Sequence, residues 1–484
     1  MLFNSYVFIF AFLPIVFSGF FFLARVDHKI AAAWLTLSSL FFYGWWNPKF
    51  VTLLLASAAF NYVIGYLIAQ NFGMSRGKRL LILSITVNLF VLGIFKYANF
   101  FLASVDSIAG SQHAMTNIVL PLGISFFTFT QIAFLVDVHR GFAKDYNFIH
   151  YLLFVTYFPH LIAGPILHHK QMMPQFDAPE TYRVDLDNIS TGLTIFVIGL
   201  AKKVLLADYL SDFVGPVFDA ARDGSHLHFM EAWSGALAYT LQLYFDFSGY
   251  SDMAIGLSWL FGIQIPINFN SPYKSSSIID FWRRWHMTLS QFLRDYLYFG
   301  LGGNRKGKIR RYINLILTML LGGLWHGANW TFVVWGGLHG FYLVVNHLWR
   351  NLCKRFGYAA ADHSPSRIWN YVTVGLTFTS VVIAWVVFRA ANIKAAHAML
   401  SAMAGMGGFE FPSSVNFPFF ALASLGLLIV WVFPNSQTLV EKSSGRYFAR
   451  SHKSTVLNAV WYGLLLSICL ISMSKKSEFL YFQF

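Results

Sequence analysis

Apolar runs of about 20 residues recur along almost the whole chain, and few folds can absorb them. They fall near 4–24, 30–46, 50–69, 79–95, 118–138, 148–167, 190–206 and 232–262, twice within 312–347, and again at 370–388, 417–433 and 456–473. A backbone placed in hydrocarbon must satisfy its own N–H and C=O groups, so such runs form helices or close into a barrel. A transmembrane barrel shows short alternating strands between turns, and these runs do not alternate. The expected fold is all-α: a polytopic transmembrane helical bundle of about 11 to 13 spans, the count depending on whether 232–262 forms one tilted helix or a pair of short ones. Only 12% of residues are charged, about half of the roughly 25% usual in a soluble domain.

The net charge of +14 therefore does not point to nucleic acid. The excess sits in short loops, where it sets orientation and meets anionic lipid heads. Arg25 and Lys29 follow the first span, Arg76, Lys78 and Arg79 the third, and Arg140 and Lys144 the fifth. The intervening loops carry only Lys49 and Lys96 as positive charges. Basic loops remain cytoplasmic, which places the N-terminus outside. The loop near 168–188, with Asp177, Glu180, Asp185 and Asp187, suits the outer face. The opening run lacks a basic n-region and is long for a signal h-region, so an uncleaved first span is expected. Cys353 and Cys469 form no zinc or CxxC spacing.

Within YINLILTMLLGGLWHGANWTFVVWGGLHGFYLVVNH, residues 312–347, His326 interrupts an apolar stretch. A titratable ring at membrane depth needs a partner or a cavity, which makes it a functional-site hypothesis by default. Gly322, Gly323 and Gly327 allow close backbone approach, and Trp325 and Trp330 are placed to wall a pocket. Asn329, three residues on, is expected on the same helical face, where it orients the imidazole or binds a carbonyl. A packing histidine bonded to a neighbouring helix is the alternative reading.

Residues 263–311 form the longest basic, non-spanning segment. Phe281, Trp282, Trp285, Leu289, Phe292, Leu293 and Tyr296 recur at three- and four-residue spacing, the pattern of an amphipathic helix at the interface. It is either a plain anchor or the mouth of the His326 pocket; in the second case Arg283 and Arg284 attract an anionic donor such as a nucleotide thioester. His286 lies inside it, in RRWHMTLS. Acyl transfer to a hydroxyl needs a base for the alcohol proton and donors for the oxyanion, and histidine supplies the first.

Other polar clusters are less specific. TYFPHLIAGPILHHK places His160, His168 and His169 around Pro159, Gly164 and Pro165, which reads as a broken helix lining a cavity or as a helix end at the headgroups. YFDFSGYSDMAIGLS puts Asp246 and Asp252 in an apolar run, where they need partners, with the basic residues of 283–294 as candidates. There is no HExxH, P-loop, GxGxxG or complete GxSxG, and no His followed by Asp five positions later. Asp185-Leu186-Asp187 is a DxD, a weak signal for a metal-dependent sugar transferase.

The run NFNSPYKSSSIIDFWRRWHMTLSQFLRDYLYFGLGGNR, followed by LGGLWHGANWTFVVWGGLHG, closely resembles the membrane-bound O-acyltransferase family, and within it the integral membrane subunits of alginate O-acetyltransferases. MLFNSYVFIFAFLPIVF, FYGWW, FPHLIAGPI, DFSGYSDMAIGLS and FLYFQF extend the likeness over essentially all of 1–484, as a single membrane domain. The resemblance implies a bundle with a funnel or tunnel, His326 of WHG as the catalytic residue, and His286 of RRWH in the same tunnel. It implies an acetyl donor on the cytoplasmic side, acetyl-CoA, with no bound cofactor or metal. Periplasmic transferases and other polysaccharide-modification proteins receive the group, across a bacterial inner membrane. Alginate is the first acceptor it suggests; peptidoglycan and cellulose are the others, and a more distant relative supports D-alanylation of teichoic acids. A passive transporter or scaffold of the polysaccharide is the competing class.

Overall fold

The computed structural model describes residues 1–111, 118–143, 147–356, 366–410, 417–441, 456–473 and 480. Lys144 and most of FLYFQF lie outside the described residues. Among the described residues the regular structure is helical throughout, with no strand. A helix occupies every apolar run read from the sequence. Four of them, Lys49–Gln70, Ser75–Ala109, Leu186–Asp223 and Arg367–Arg389, are individually long and apolar enough to cross a membrane.

The boundaries shift for identifiable reasons. The run 232–262 is one 32-residue helix, Phe229–Leu260, and not a pair of short ones. The run 148–167 breaks, as Pro159 requires: helix Phe148–Thr156 ends at Tyr157 and a short turn Phe158–Leu161 follows. Lys96 is not in a loop. It lies inside helix Ser75–Ala109 and donates to Ser125 Oγ at 3.3 Å.

The chain forms two compact units. The first comprises Met1–Leu200, Tyr250–Ile267 and Val440–Ser474. Its helices are tied by buried amides: Asn61 Nδ2 donates to Asn88 Oδ1 at 3.1 Å and to Gln131 Oε1 at 2.8 Å, and Asn88 Nδ2 returns a bond to Asn61 Oδ1 at 2.7 Å. Interhelical hydrogen bonds of this kind hold helices together where lipid offers no hydrophobic drive. Phe3, Phe8, Phe12, Phe42 and Phe158 pack ring on ring beside them.

The second unit comprises Ala201–Gly249, Asn268–Leu439 and Lys475–Phe484. A helical hairpin, Gly307–His326 and Trp330–Arg355, is its centre. The two helices touch backbone to backbone at Gly323 and Gly336: a Cβ on Gly323 would run into the Phe332 carbonyl, and one on Gly336 into the Met319 carbonyl. Small residues permit this approach, and it fixes the hairpin tip that carries His326.

Candidate functional site

The segment 278–298 is not one amphipathic helix. Ser277 caps a short helix, Ile278–Arg284, by accepting from Asp280 N at 3.2 Å. The chain then turns at Trp285 and His286 before helix Met287–Phe292 and a π-helical stretch, Leu293–Tyr298. His286 takes the left-handed conformation, φ 42° and ψ 54°, which costs a non-glycine residue roughly 1–3 kcal/mol. Surrounding bonds hold it there: Met287 N donates to Asn268 O at 2.9 Å, and Asn270 N to Arg284 O at 2.9 Å. Phe281, Trp285, Leu289, Phe292 and Leu293 are buried in protein, so the periodicity reports packing into the unit and not a lipid-facing anchor.

The turn presents the His286 ring to one oxygen. Asn268 Oδ1 lies 3.1 Å from His286 Nδ1, 3.3 Å from Thr288 N and 3.0 Å from Thr288 Oγ1. The Thr288 N–H can only donate, so the atom it meets is the amide oxygen and His286 Nδ1 must carry a proton. In the neutral ring, Nε2 is then a lone pair. That atom is buried and has no hydrogen-bond partner among the described residues.

His326 is the last residue of its helix and is 6% exposed. Its ring is caged by Trp325 at 5.0 Å, Trp335 at 5.2 Å and Phe388 at 5.4 Å between centroids, all three edge-on. Across the cage stands His286, at 6.5 Å and 62°. Two imidazoles from separate helical elements thus share one apolar enclosure, where a proton acceptor acts without competition from bulk water.

Several expected neighbours are elsewhere. Asn329 is not on the face of His326, because the helix ends at His326 and Gly327 is extended. Asn329 instead caps the next helix, accepting from Thr331 N at 3.1 Å, and donates to Ala391 O at 2.9 Å. Trp330 is 54% exposed, whereas Trp335, five residues further on, is buried and packs 5.2 Å from the His326 ring. Arg283 is exposed, and Arg284 pairs with Asp280 at 3.0 Å. His160 belongs to the other unit, where it is buried and its Nε2 lies 2.8 Å from Phe154 O at the helix break. His168 and His169 are likewise buried within the protein. Asp246 is paired not by the arginines of 283–294 but by Lys203, at 2.7 Å. The DxD is a helix cap: Asp185 Oδ1 accepts from Asp187 N and Asn188 N at 2.8 and 3.1 Å.

Two residues escaped the sequence reading. Asn268 carries no periodic or motif signal of its own. His339 is flanked by glycine in GGLHG and could have been suspected on that ground. It is fully buried, accepts from Trp282 Nε1 at 3.3 Å through Nδ1, and packs 4.9 Å from Trp335, the ring that also faces His326. Among the described residues, no three His, Cys, Asp or Glu side chains gather closely enough to hold a metal ion.

The chain is thus a helical membrane protein with two buried histidines side by side in its second unit. The sequence model of the membrane-bound O-acyltransferase family matches residues 79–385, and the chain belongs to that family. It is 39% identical to the peptidoglycan O-acetyltransferase of Helicobacter pylori, over 100% of this chain and 98% of that protein. It is 44% identical to the "probable alginate O-acetylase AlgI" of Pseudomonas aeruginosa, over 85% of this chain and 76% of that protein. The teichoic acid D-alanyltransferase of Streptococcus thermophilus is 28% identical, over 55% of this chain and 68% of its own length. The chain is a multi-pass membrane O-acyltransferase, and a passive transporter or scaffold is set aside.

Proposed function

We propose that the chain takes acetyl groups from acetyl-CoA at the cytoplasmic face of a bacterial inner membrane and relays them for O-acetylation of a secreted polysaccharide, alginate in the first instance. His326 and His286 are its catalytic pair. The observation that carries this reading is the buried Nε2 of His286, which has no hydrogen-bond partner among the described residues, on a ring whose centroid lies 6.5 Å from that of His326. A hydroxyl attacks an acyl carbonyl efficiently only if its proton leaves as the new C–O bond forms. An imidazole nitrogen with a free lone pair accepts that proton, and the departing thiolate takes one up. Arg283 is not part of the histidine enclosure, but it is exposed in the last turn of the helix that leads into Trp285–His286, and from there its charge draws the anionic donor toward the site. Periplasmic polysaccharide-modification proteins receive the acetyl group, and membrane lipid surrounds the bundle.

Replacing His326 with Ala is expected to abolish polymer acetylation while protein level and polymer secretion persist. Normal acetylation in that variant ends the proposal. Peptidoglycan is the second acceptor, favoured by the match to the Helicobacter pylori protein, which runs through 98% of that chain. Expression in hosts lacking their own alginate or peptidoglycan acetylase, followed by ester analysis of each polymer, separates the two. Inverted membrane vesicles given labelled acetyl-CoA test the donor directly.

A further inference from the structure

In the first unit, the turn between helices Lys49–Gln70 and Ser75–Ala109 meets the end of helix Ile124–His139 around an open groove of about 320 Å³. That volume lies at the small end of the roughly 300–1,000 Å³ typical of ligand sites. Lys78, Arg140 and His139 line it, and among the described residues no Asp or Glu does. Nδ1 of His139 is buried with no hydrogen-bond partner among those residues. Ser75 opens the long helix in the same wall, and its N-cap, Met74, makes no side-chain cap. The positive end of that helix therefore lies at the same groove as Lys78.

The rim has a different character. Among the lining residues Phe72 is 56% exposed and Met74 59%. A cationic pocket opening between helices and edged by exposed apolar side chains matches a phosphate joined to hydrocarbon, and basic pockets of this kind between membrane helices hold anionic headgroups. It fits poorly with a free inorganic ion, which has no use for the rim.

We propose that this groove is a phosphate site filled by the headgroup of an anionic phospholipid, with its glycerol and chains along Phe72 and Met74. The site is independent of the acyl-transfer reading. To test it, the full chain is purified in neutral detergent and titrated with phosphatidylglycerol, with phosphatidylcholine of the same chains, and with inorganic phosphate. Binding is followed by native mass spectrometry and thermal unfolding. Phosphatidylglycerol is expected to bind preferentially, and Lys78→Gln or Arg140→Gln each to weaken it about fivefold, as one surface charge against an anionic lipid predicts. Lys78→Arg is expected to retain binding, which separates loss of charge from misfolding, as does an unchanged unliganded Tm. Inorganic phosphate binding with the same charge dependence, without phosphatidylglycerol binding, keeps the phosphate site and reassigns its source to a soluble molecule. Binding indifferent to both substitutions, or no binding of either phosphate, overturns the proposal.

Discussion

The side-chain oxygen of Asn268 lies 3.1 Å from Nδ1 of His286 and decides which nitrogen of that ring carries the proton. The same oxygen serves Thr288 through both its N–H and its hydroxyl, so it cannot rotate away without stranding three donors. Asn268→Leu is expected to lower acetylation by about 10²-fold or more, since a positioned base contributes that much when correctly tautomerised. Stability should also fall, by about 1–3 kcal/mol for a buried donor left unmet. Asn268→Asp keeps an acceptor and should preserve more activity than Leu at equal protein level. Equal activity in the Leu variant and the parent would show that the tautomer does not matter. Polymer acetyl ester per unit of membrane protein is the measurement.

The hairpin that carries His326 depends on a backbone contact that side chains would spoil. Gly323→Ala is expected to cost about 1–3 kcal/mol through overpacking, because its Cβ meets the Phe332 carbonyl with nothing flexible to give way. Acetylation should fall with it, since the tip moves relative to Trp335 and Phe388. Gly375 offers the control. It lies inside helix Arg367–Arg389 with open space at its Cβ, so Gly375→Ala should be neutral or stabilise by about 0.5–1 kcal/mol. Thermal unfolding in detergent compares the two, and a Gly323→Ala variant as stable as Gly375→Ala would refute the close-contact argument.

The DxD gives a prediction of no catalytic effect. Asp185 is an N-cap, and its replacement by Ala should cost about 0.5–2 kcal/mol of stability. Asp187→Ala should do less. Neither should change acetylation per molecule of folded protein. A folded Asp185→Ala variant without activity would revive the sugar-transferase reading.

His326 and His286 were legible because an imidazole in apolar or basic-aromatic sequence is costly enough to need a reason. The helices were legible because apolar run length speaks directly to span formation. The break at Trp285–His286 was not. Phe281, Trp285, Leu289 and Phe292 keep helical spacing because the helices on either side bury toward the same core, and no local propensity announces a left-handed histidine. Asn329 carried a usable cap signal, an Asn between Gly-Ala and an apolar run, but spacing alone suggested a continuous helix. The partners Asn268 and Lys203 are set by tertiary packing, which a linear pattern does not encode.

Lys203 provides the strongest test of that packing. It sits in a π-helical stretch, Lys202–Ala207, and reaches Asp208 at 2.8 Å and Asp246 at 2.7 Å, with all three side chains almost wholly buried. Asp246 also accepts from Leu480 N at 2.9 Å through its other oxygen, which joins Leu480 to the cluster. Removing one partner of a buried ion pair leaves charge without compensation and typically costs about 3–5 kcal/mol. Lys203→Met is therefore expected to destabilise the protein strongly, with like carboxylates left facing the same space. Exchanging all three for neutral groups, Lys203→Met with Asp208→Asn and Asp246→Asn, removes that repulsion and should recover more than half of the lost stability. Melting in detergent resolves the difference. If Lys203→Met alone melts where the parent does, the cluster is not what holds this part of the second unit together.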